Sequence, residues 1–380
     1  LWSYIANNQE INVASNARIQ NHIDWISTQP EYLASISKRA KPFLYLVVSE
    51  TEKQGVPIEI ALLPIVESDY YPFSYSQGTA TGLWQFIPST GRMYGLDADW
   101  WHEDRRDVLA STKAAIRYLK DLNKMFDGDW LLSIAAYNAG PGRVQRAIDK
   151  NLELGRKIDY WSLDLPKETK KYVPKLLAIG SVLKDPALYN QKLTKIENKP
   201  FLEAVQLDSQ FDLALIAQWT DLSINEIYSF NPGLKRWATP EALPYSILLP
   251  KEVVFQFNDN LSEQSNRPKI SWMRYQIKKG DTLSLIAQNY KTTIDQIKSV
   301  NELNNNLIRL DSYLIVPLAK ESEEYYSLSE AQREKSRLNA NKNSGNVVYE
   351  VVSGDSLWKI ALKIFLYKIQ VCLLMIYLLN

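Results

Sequence analysis

Pro64-Ile65-Val66-Glu67-Ser68 closes an apolar run that begins just after Pro57, and it sets a carboxylic acid against hydrocarbon. Two segments follow in order: Gly82-Leu83-Trp84-Gln85, a glycine-bounded loop, and Ala136-Tyr137-Asn138-Ala139-Gly140, expected to be a second, polar-aromatic loop that could close over the acid. Burial penalises the charged form of a carboxyl group, so it keeps its proton to higher pH. Facing amides and aromatic rings, such an acid is equipped to protonate a glycosidic oxygen near neutrality.

Outward from Glu67 the pattern is helical on both sides. Pro57 suits the first turn of a helix running through Ile60, Leu62 and Leu63, and Pro64 is expected to kink it or end its regular part. Upstream, Ile19, Ile23 and Ile26 recur at helical spacing, and Phe43-Leu44-Tyr45-Leu46-Val47-Val48 opens another apolar helix. Residues 68–83, rich in Tyr, Ser, Gly and Thr, read as a loop. Helical spacing returns over 111–125 and 130–136. Pro141-Gly142 does not stop it, because Val144, Ala147 and Ile148 follow in phase. A last helix is expected over 167–183, with Pro174 its weak point. Residues 1–190 therefore read as all-helical, with 1–56 an N-terminal extension and 57–190 the main domain.

After Pro200 the chain repeats itself. Val205-Gln206-Leu207 stands to Leu213-Ala214-Leu215-Ile216-Ala217-Gln218 as Tyr275-Gln276-Ile277 stands to Leu283-Ser284-Leu285-Ile286-Ala287-Gln288. Ile224, Ile227 and Asn231 then align with Ile294, Ile297 and Asn301, and each copy closes on an apolar strand, Ile247-Leu248-Leu249-Pro250 or Leu314-Ile315-Val316-Pro317. Each unit reads strand, helix, helix, strand, over 200–252 and 273–318. Residues 319–346, dense in Lys, Glu, Ser and Asn, are expected to be a disordered linker. A third copy begins at Tyr349 but loses the pattern after Lys363, so 347–380 reads as a truncated or frameshifted unit. As a membrane span its tail is poor, since the apolar run is short and broken by Lys368.

Composition narrows the function classes. At 380 residues two or more domains are expected. Lys plus Arg number 44 against 43 Asp plus Glu, which argues against a dedicated nucleic-acid binder. The single Cys372 leaves no internal disulfide framework, and two histidines, His22 and His102, are too few for a histidine metal cage or a Ser-His triad. No metal and no cofactor is expected.

Glu67-Ser68, Ser76, Gly82-Leu83-Trp84-Gln85-Phe86-Ile87-Pro88, Ala136-Tyr137-Asn138-Ala139-Gly140 and Glu168-Thr169-Lys170-Lys171-Tyr172-Val173 together resemble the lytic transglycosylase domain of the lysozyme superfamily, over roughly 57–185. The resemblance implies a mainly α, lysozyme-like domain. It also implies cleavage of the β-1,4 bond between N-acetylmuramic acid and N-acetylglucosamine in peptidoglycan, with formation of 1,6-anhydromuramyl ends. It makes Glu67 the acid and then the base. Ser76, Gln85 and Tyr137 would hydrogen-bond the sugar, Asn138 would brace its loop, and Glu168 and Tyr172 would orient substrate or the acid. Trp84 and Ile87 stand where the family often has Met and should keep an apolar groove wall. Read residue by residue, Glu67 alone is an ordinary helix-end glutamate, Asp69 a solvated loop residue and the nearest second carboxylate, and Trp100, Trp101 and Trp130 core. The alternatives are a lysozyme-type hydrolase on the same fold, or a peptidoglycan-binding protein without activity.

Tyr275-Gln276-Ile277-Lys278-Lys279-Gly280-Asp281-Thr282-Leu283 closely resembles LysM, a small βααβ module that binds N-acetylglucosamine-containing glycans. The resemblance puts glycan contact at Gly280, Asp281, Thr282 and Leu283, and near the loop where Asp311 replaces a common glycine. In the 200–252 copy Gln210, Phe211 and Asp212 stand in place of Gly-Asp-Thr, so that unit reads as degenerate and structural. The whole chain resembles membrane-bound members of the lytic transglycosylase family. That implies peptidoglycan strands as the partner and a periplasmic location, anchored to the outer membrane and facing the periplasm. Membrane contact is expected only through a lipid anchor, carried by a segment outside these residues.

Overall fold

The computed structural model describes residues 1–76, 79–263, 269–310 and 312–343; the third repeat and Asp311 lie outside them. Four helices come first: α1 (Trp2–Asn7), α2 (Ala17–Ser27), α3 (Tyr32–Ala40) and α4 (Leu44–Lys53). Ile19, Ile23 and Ile26 are buried on one face of α2, and Asn16 caps it by accepting from the Arg18 and Ile19 amides. These helices are more than an extension. Their apolar faces join one core with those of the following helices.

The run after Pro57 is a 3₁₀ segment, Ile58–Leu62, that passes directly into α5 (Leu63–Ser68). Pro64 lies in the first turn of α5, where its missing N–H has no partner to lose, so the proline opens the regular helix and does not kink or end one. Then come α6 (Pro88–Met93), α7 (Val108–Met125), α8 (Trp130–Ala139), α9 (Pro141–Glu153) and α10 (Thr169–Lys184). Gly140, at φ +86°, makes the corner between α8 and α9, and Pro141 restarts the helix. α10 runs through Pro174 unbroken, held by α1, α2 and α8 packed along it.

The repeats fold as read. β1 (Leu202–Leu207), α11 (Leu213–Thr220), α12 (Ile224–Phe230) and β2 (Tyr245–Pro250) form the first, with β1 antiparallel to β2 and Val205 opposite Ile247. The chain continues at once into α13 (Lys251–Glu263), beyond the expected boundary at 252; α13 buries Phe257 against Phe211 and Trp219. The second repeat is β3 (Ser271–Gln276), α14 (Leu283–Asn289), α15 (Ile294–Val300) and β4 (Tyr313–Leu318), with Tyr275 opposite Leu314. Asn231 and Asn301 play one role in the two copies. Each donates to a carbonyl on its own helix and one on the closing strand, and accepts that strand's N–H at 2.7 Å.

The first repeat shares the helical core through Leu202, Phe230 and Leu248. Trp100 and Trp101 serve this junction: Arg236 lies 3.7 Å above the Trp100 ring, and Trp101 meets Trp237 edge-on.

The expected disordered linker is not what forms over 319–343. The Lys320 N–H and the Tyr326 hydroxyl both donate to the buried Asp212 carboxylate, at 2.7 and 2.9 Å, so this stretch folds back over the first repeat. A separate unit starting at Ser327 carries α16 (Glu330–Asn343). The polar composition hid both, because the one aromatic side chain that anchors the return stands among charges. Among the described residues no helix is long and apolar enough to cross a membrane.

Candidate active site

The end of α5 projects Glu67 into a groove of about 620 Å³. Its neighbour Ser68 points the other way, donating to the Pro64 and Leu83 carbonyls at 3.0 and 2.9 Å, which fastens the helix to the Gly82 loop. That loop needs Gly82: its φ is +81°, and a Cβ there would stand 2.1 Å from the Arg105 carbonyl oxygen. Arg105 in turn donates to the Thr79 and Phe86 carbonyls and holds the two limbs of the loop together.

All seven residues expected at the site, Glu67, Ser76, Gln85, Tyr137, Asn138, Glu168 and Tyr172, line this one groove. Their hydrogen bonds separate those facing a ligand from those that build the wall. Tyr172, from the first turn of α10, donates to Oε1 of Glu67. The expected loop over 136–140 is the last turn of α8 up to Ala139; there Asn138 donates to Oε1 of Glu168 at 3.0 Å and accepts from the Thr169 hydroxyl at 2.7 Å, tying the helix end to the start of α10. The Tyr137 hydroxyl donates to the Trp84 carbonyl at 2.8 Å, so only its oxygen lone pairs remain for a ligand. Gln85 stands at φ +49° with its amide donating to the Gly82 carbonyl at 2.8 Å. The Ser76 hydroxyl accepts from the Ala80 N–H at 3.2 Å.

Burial raises the Glu67 carboxyl from 4.5 to about 7; the Tyr172 hydrogen bond and nearby Lys175 pull the other way, and Glu168 adds to the rise. Near neutrality such a group exists in comparable amounts as acid and carboxylate. Desolvation and the Glu67 charge push the Tyr137 and Tyr172 hydroxyls well above their ordinary value, so both stay protonated.

Two expectations about the walls are corrected. Trp84 is wholly buried, its indole N–H on Thr112 at 2.9 Å, and it is core behind the groove; Phe86 and the half-exposed Ile87 form the apolar wall. Asp69 does not line the groove. Its side chain accepts from Tyr32 at 3.5 Å, and the second carboxylate in the groove is Glu168. Sequence reasoning also missed Lys171 and Lys175, which enter the groove from α10. Lys171 follows Glu168, and Lys175 follows Tyr172, by three positions along a helix, and that spacing was the available signal.

In the second repeat Gly280 takes φ +93° and Thr282 caps α14 by accepting from the Leu285 N–H. Asp281 is occupied within the module, accepting from the Lys278 N–H at 2.7 Å and the Tyr275 hydroxyl at 2.8 Å. Leu283 is corrected from contact residue to core: it is buried with Ile277, Ile286 and Val316. In the first repeat Asp212 takes the capping place of Thr282, and the return of Lys320 and Tyr326 occupies it.

Comparison with known proteins agrees with this layout. Residues 46–159 match the transglycosylase SLT domain, 201–266 the LysM-like domain of lytic transglycosylase MltD, and 275–317 and 349–375 the LysM domain. The membrane-bound lytic murein transglycosylase D of Escherichia coli K12 is 36% identical over 372 residues, 95% of this chain and 79% of that protein. The peptidoglycan transglycosylase gp16 of phage T7 is 32% identical over 115 residues, 30% of this chain and 8% of its own. The 70 kDa soluble lytic transglycosylase structure from Escherichia coli covers 37% of this chain and 23% of its own, at 24% identity and a TM-score of 0.29.

Proposed function

The chain belongs to the family of membrane-bound lytic murein transglycosylase D, enzymes of peptidoglycan with LysM modules, and on that premise we propose how it works. Glu67 cleaves the β-1,4 bond between N-acetylmuramic acid and N-acetylglucosamine as the single acid and base. Its protonated carboxyl gives a proton to the departing glycosidic oxygen. The resulting carboxylate takes the proton of the muramyl 6-hydroxyl as that oxygen bonds to the anomeric carbon, leaving a 1,6-anhydro end. The nucleophile is tethered to the substrate, so the attack gains from proximity. General acid–base catalysis of this kind contributes about 10² to 10⁴-fold.

The observation that carries this reading is the Glu67 carboxyl itself, half-buried at the groove wall, raised to about 7 and held by Tyr172. Tyr172 and Asn138 are positioning groups, the first for Glu67 and the second for Glu168. Ser76, Gln85 and the Tyr137 oxygen meet the sugars. Glu168 supports a second reading, in which it activates a water and the enzyme is a hydrolase; its hold on Asn138 favours the orienting role. Gly280 and Thr282 of the second repeat offer a glycan contact that keeps the enzyme on the wall and raises local substrate concentration. A periplasmic setting follows from that substrate.

Mass spectrometry of products from purified peptidoglycan distinguishes these readings. Anhydromuramyl ends from the native chain and none from Glu67→Gln are expected. Reducing muramic ends would make the enzyme a hydrolase, and native-level turnover by Glu67→Gln would remove Glu67 from the mechanism.

A further inference from the structure

Beside the catalytic groove, α2 and the segment entering α10 enclose a second depression, of about 650 Å³. Arg18 comes from α2 and Lys167, Lys170, Lys171 and Lys175 from the other side, with Trp25 as an aromatic wall; no carboxylate is among the described residues lining it. Trp25 is 47% exposed, a large face to leave in water, and its edge is fixed against Tyr32 at 5.0 Å between ring centres. Lys170 is held 2.6 Å from Asp164, and the Lys175 ammonium lies 5.8 Å above the Tyr32 ring. Burial, with Lys175 and Lys171 nearby, lowers the His22 imidazole below its ordinary value, so arginine and lysine carry the charge here.

Two relationships give this depression a direction. Lys171 and Lys175 also line the catalytic groove, so both hollows share a wall. And Arg18, Trp25, Lys167 and Lys170 line this depression without lining the catalytic groove. N-acetylglucosamine and the muramyl ring carry no charge. The anionic groups of peptidoglycan near the scissile bond are the carboxylates of the peptide stem on the muramyl lactyl ether. We propose that this depression is a subsite for the stem carboxylates, with Trp25 covering an apolar stem side chain, and that stem-bearing strands are the preferred substrate. This rests on the peptidoglycan reading of the adjoining groove.

The test uses the full chain with Arg18→Gln and Lys167→Gln combined; both side chains are exposed and neither lines the catalytic groove. KM is measured on stem-bearing glycan strands and on strands stripped of peptide by an amidase, which keep only the lactyl carboxylate freed at each muramyl residue and none of the stem carboxylates. The native chain is expected to show the lower KM on stem-bearing strands, and the double variant to raise that KM about fivefold while leaving stripped strands unchanged. Equal KM for the native chain on both substrates, or an equal shift on both in the variant, overturns the proposal. Unchanged stem preference with loss of binding to phosphatidylglycerol vesicles also overturns it, and assigns the cations to an anionic lipid surface.

A binding arm separates this from failure of the catalytic reading. Glu67→Gln should bind a soluble stem-bearing disaccharide more tightly than the stemless one, and lose that margin when Arg18 and Lys167 are also replaced. That result stands whether or not anhydro ends are the products.

Discussion

The Tyr172 hydroxyl donates a hydrogen bond to Oε1 of Glu67, joining α10 to the end of α5 across 105 positions of chain. Burial favours the protonated acid there, and this bond favours the carboxylate. The two effects oppose each other, and the balance sets the proton affinity of the group that must both give and take a proton.

The rate should therefore fall as pH rises through about 7, where Glu67 loses the proton it donates. Tyr172→Phe removes a stabiliser of the carboxylate, so the alkaline limb is expected to move up by about one unit while the maximal rate drops. A pH–kcat profile of both proteins checks it. An unmoved limb with a lower rate would make Tyr172 a packing residue.

Glu67 also weakens the fold it serves. Its carboxyl is raised from 4.5 to about 7 on folding, so between those values the folded protein holds a proton that the unfolded chain has lost. Stability falls as pH rises through that window, and the loss is complete above it. Glu67→Gln should be more stable than the native chain by about 2 kcal/mol at pH 8 and close to it at pH 4. Urea unfolding at the two pH values measures the difference, and a constant offset would contradict the linkage.

Gly82→Ala should collapse the loop below the groove. The positive φ and the 2.1 Å approach to the Arg105 carbonyl leave no room for a methyl group. A loss of about 2 to 4 kcal/mol is expected, with activity falling further than stability because Gln85 is carried by the same turn. Calorimetry and turnover on one preparation would show both.

The paired asparagines allow an internal comparison. Asn231 is buried and Asn301 partly exposed, though both bond to equivalent groups. Asn231→Ala strands buried backbone groups and should cost about 2 to 3 kcal/mol, against about 1 kcal/mol for Asn301→Ala, whose partners can turn to water. Equal losses in denaturant unfolding would mean that solvent reaches neither.

Much of the fold was legible because its signals are local. The apolar spacing around Ile19 and the in-phase Val144, Ala147 and Ile148 after Pro141-Gly142 each act within a turn or two. The repeats were legible for the same reason, down to Asn231 and Asn301. The polar stretch after 319 misled because its anchors are one backbone N–H, at Lys320, and one tyrosine, Tyr326, whose shared partner Asp212 lies 108 and 114 positions away. Leu283 misled because a strand-helix loop looks alike whether its leucine turns outward or into the core.

By itself, then, the sequence determined the order of the helices, the two βααβ units and the Gly82 loop, since periodicity and turn chemistry are written in neighbouring residues. Only the tertiary structure decided that Trp84 backs the groove and Phe86 faces it. The folded chain also aimed the Tyr137 hydroxyl at the Trp84 carbonyl, placed Tyr172 on Glu67, and gathered Arg18 with Lys167 into one cationic hollow. Desolvation and hydrogen bonding between distant residues depend on which surfaces the fold brings together, and no local pattern records that.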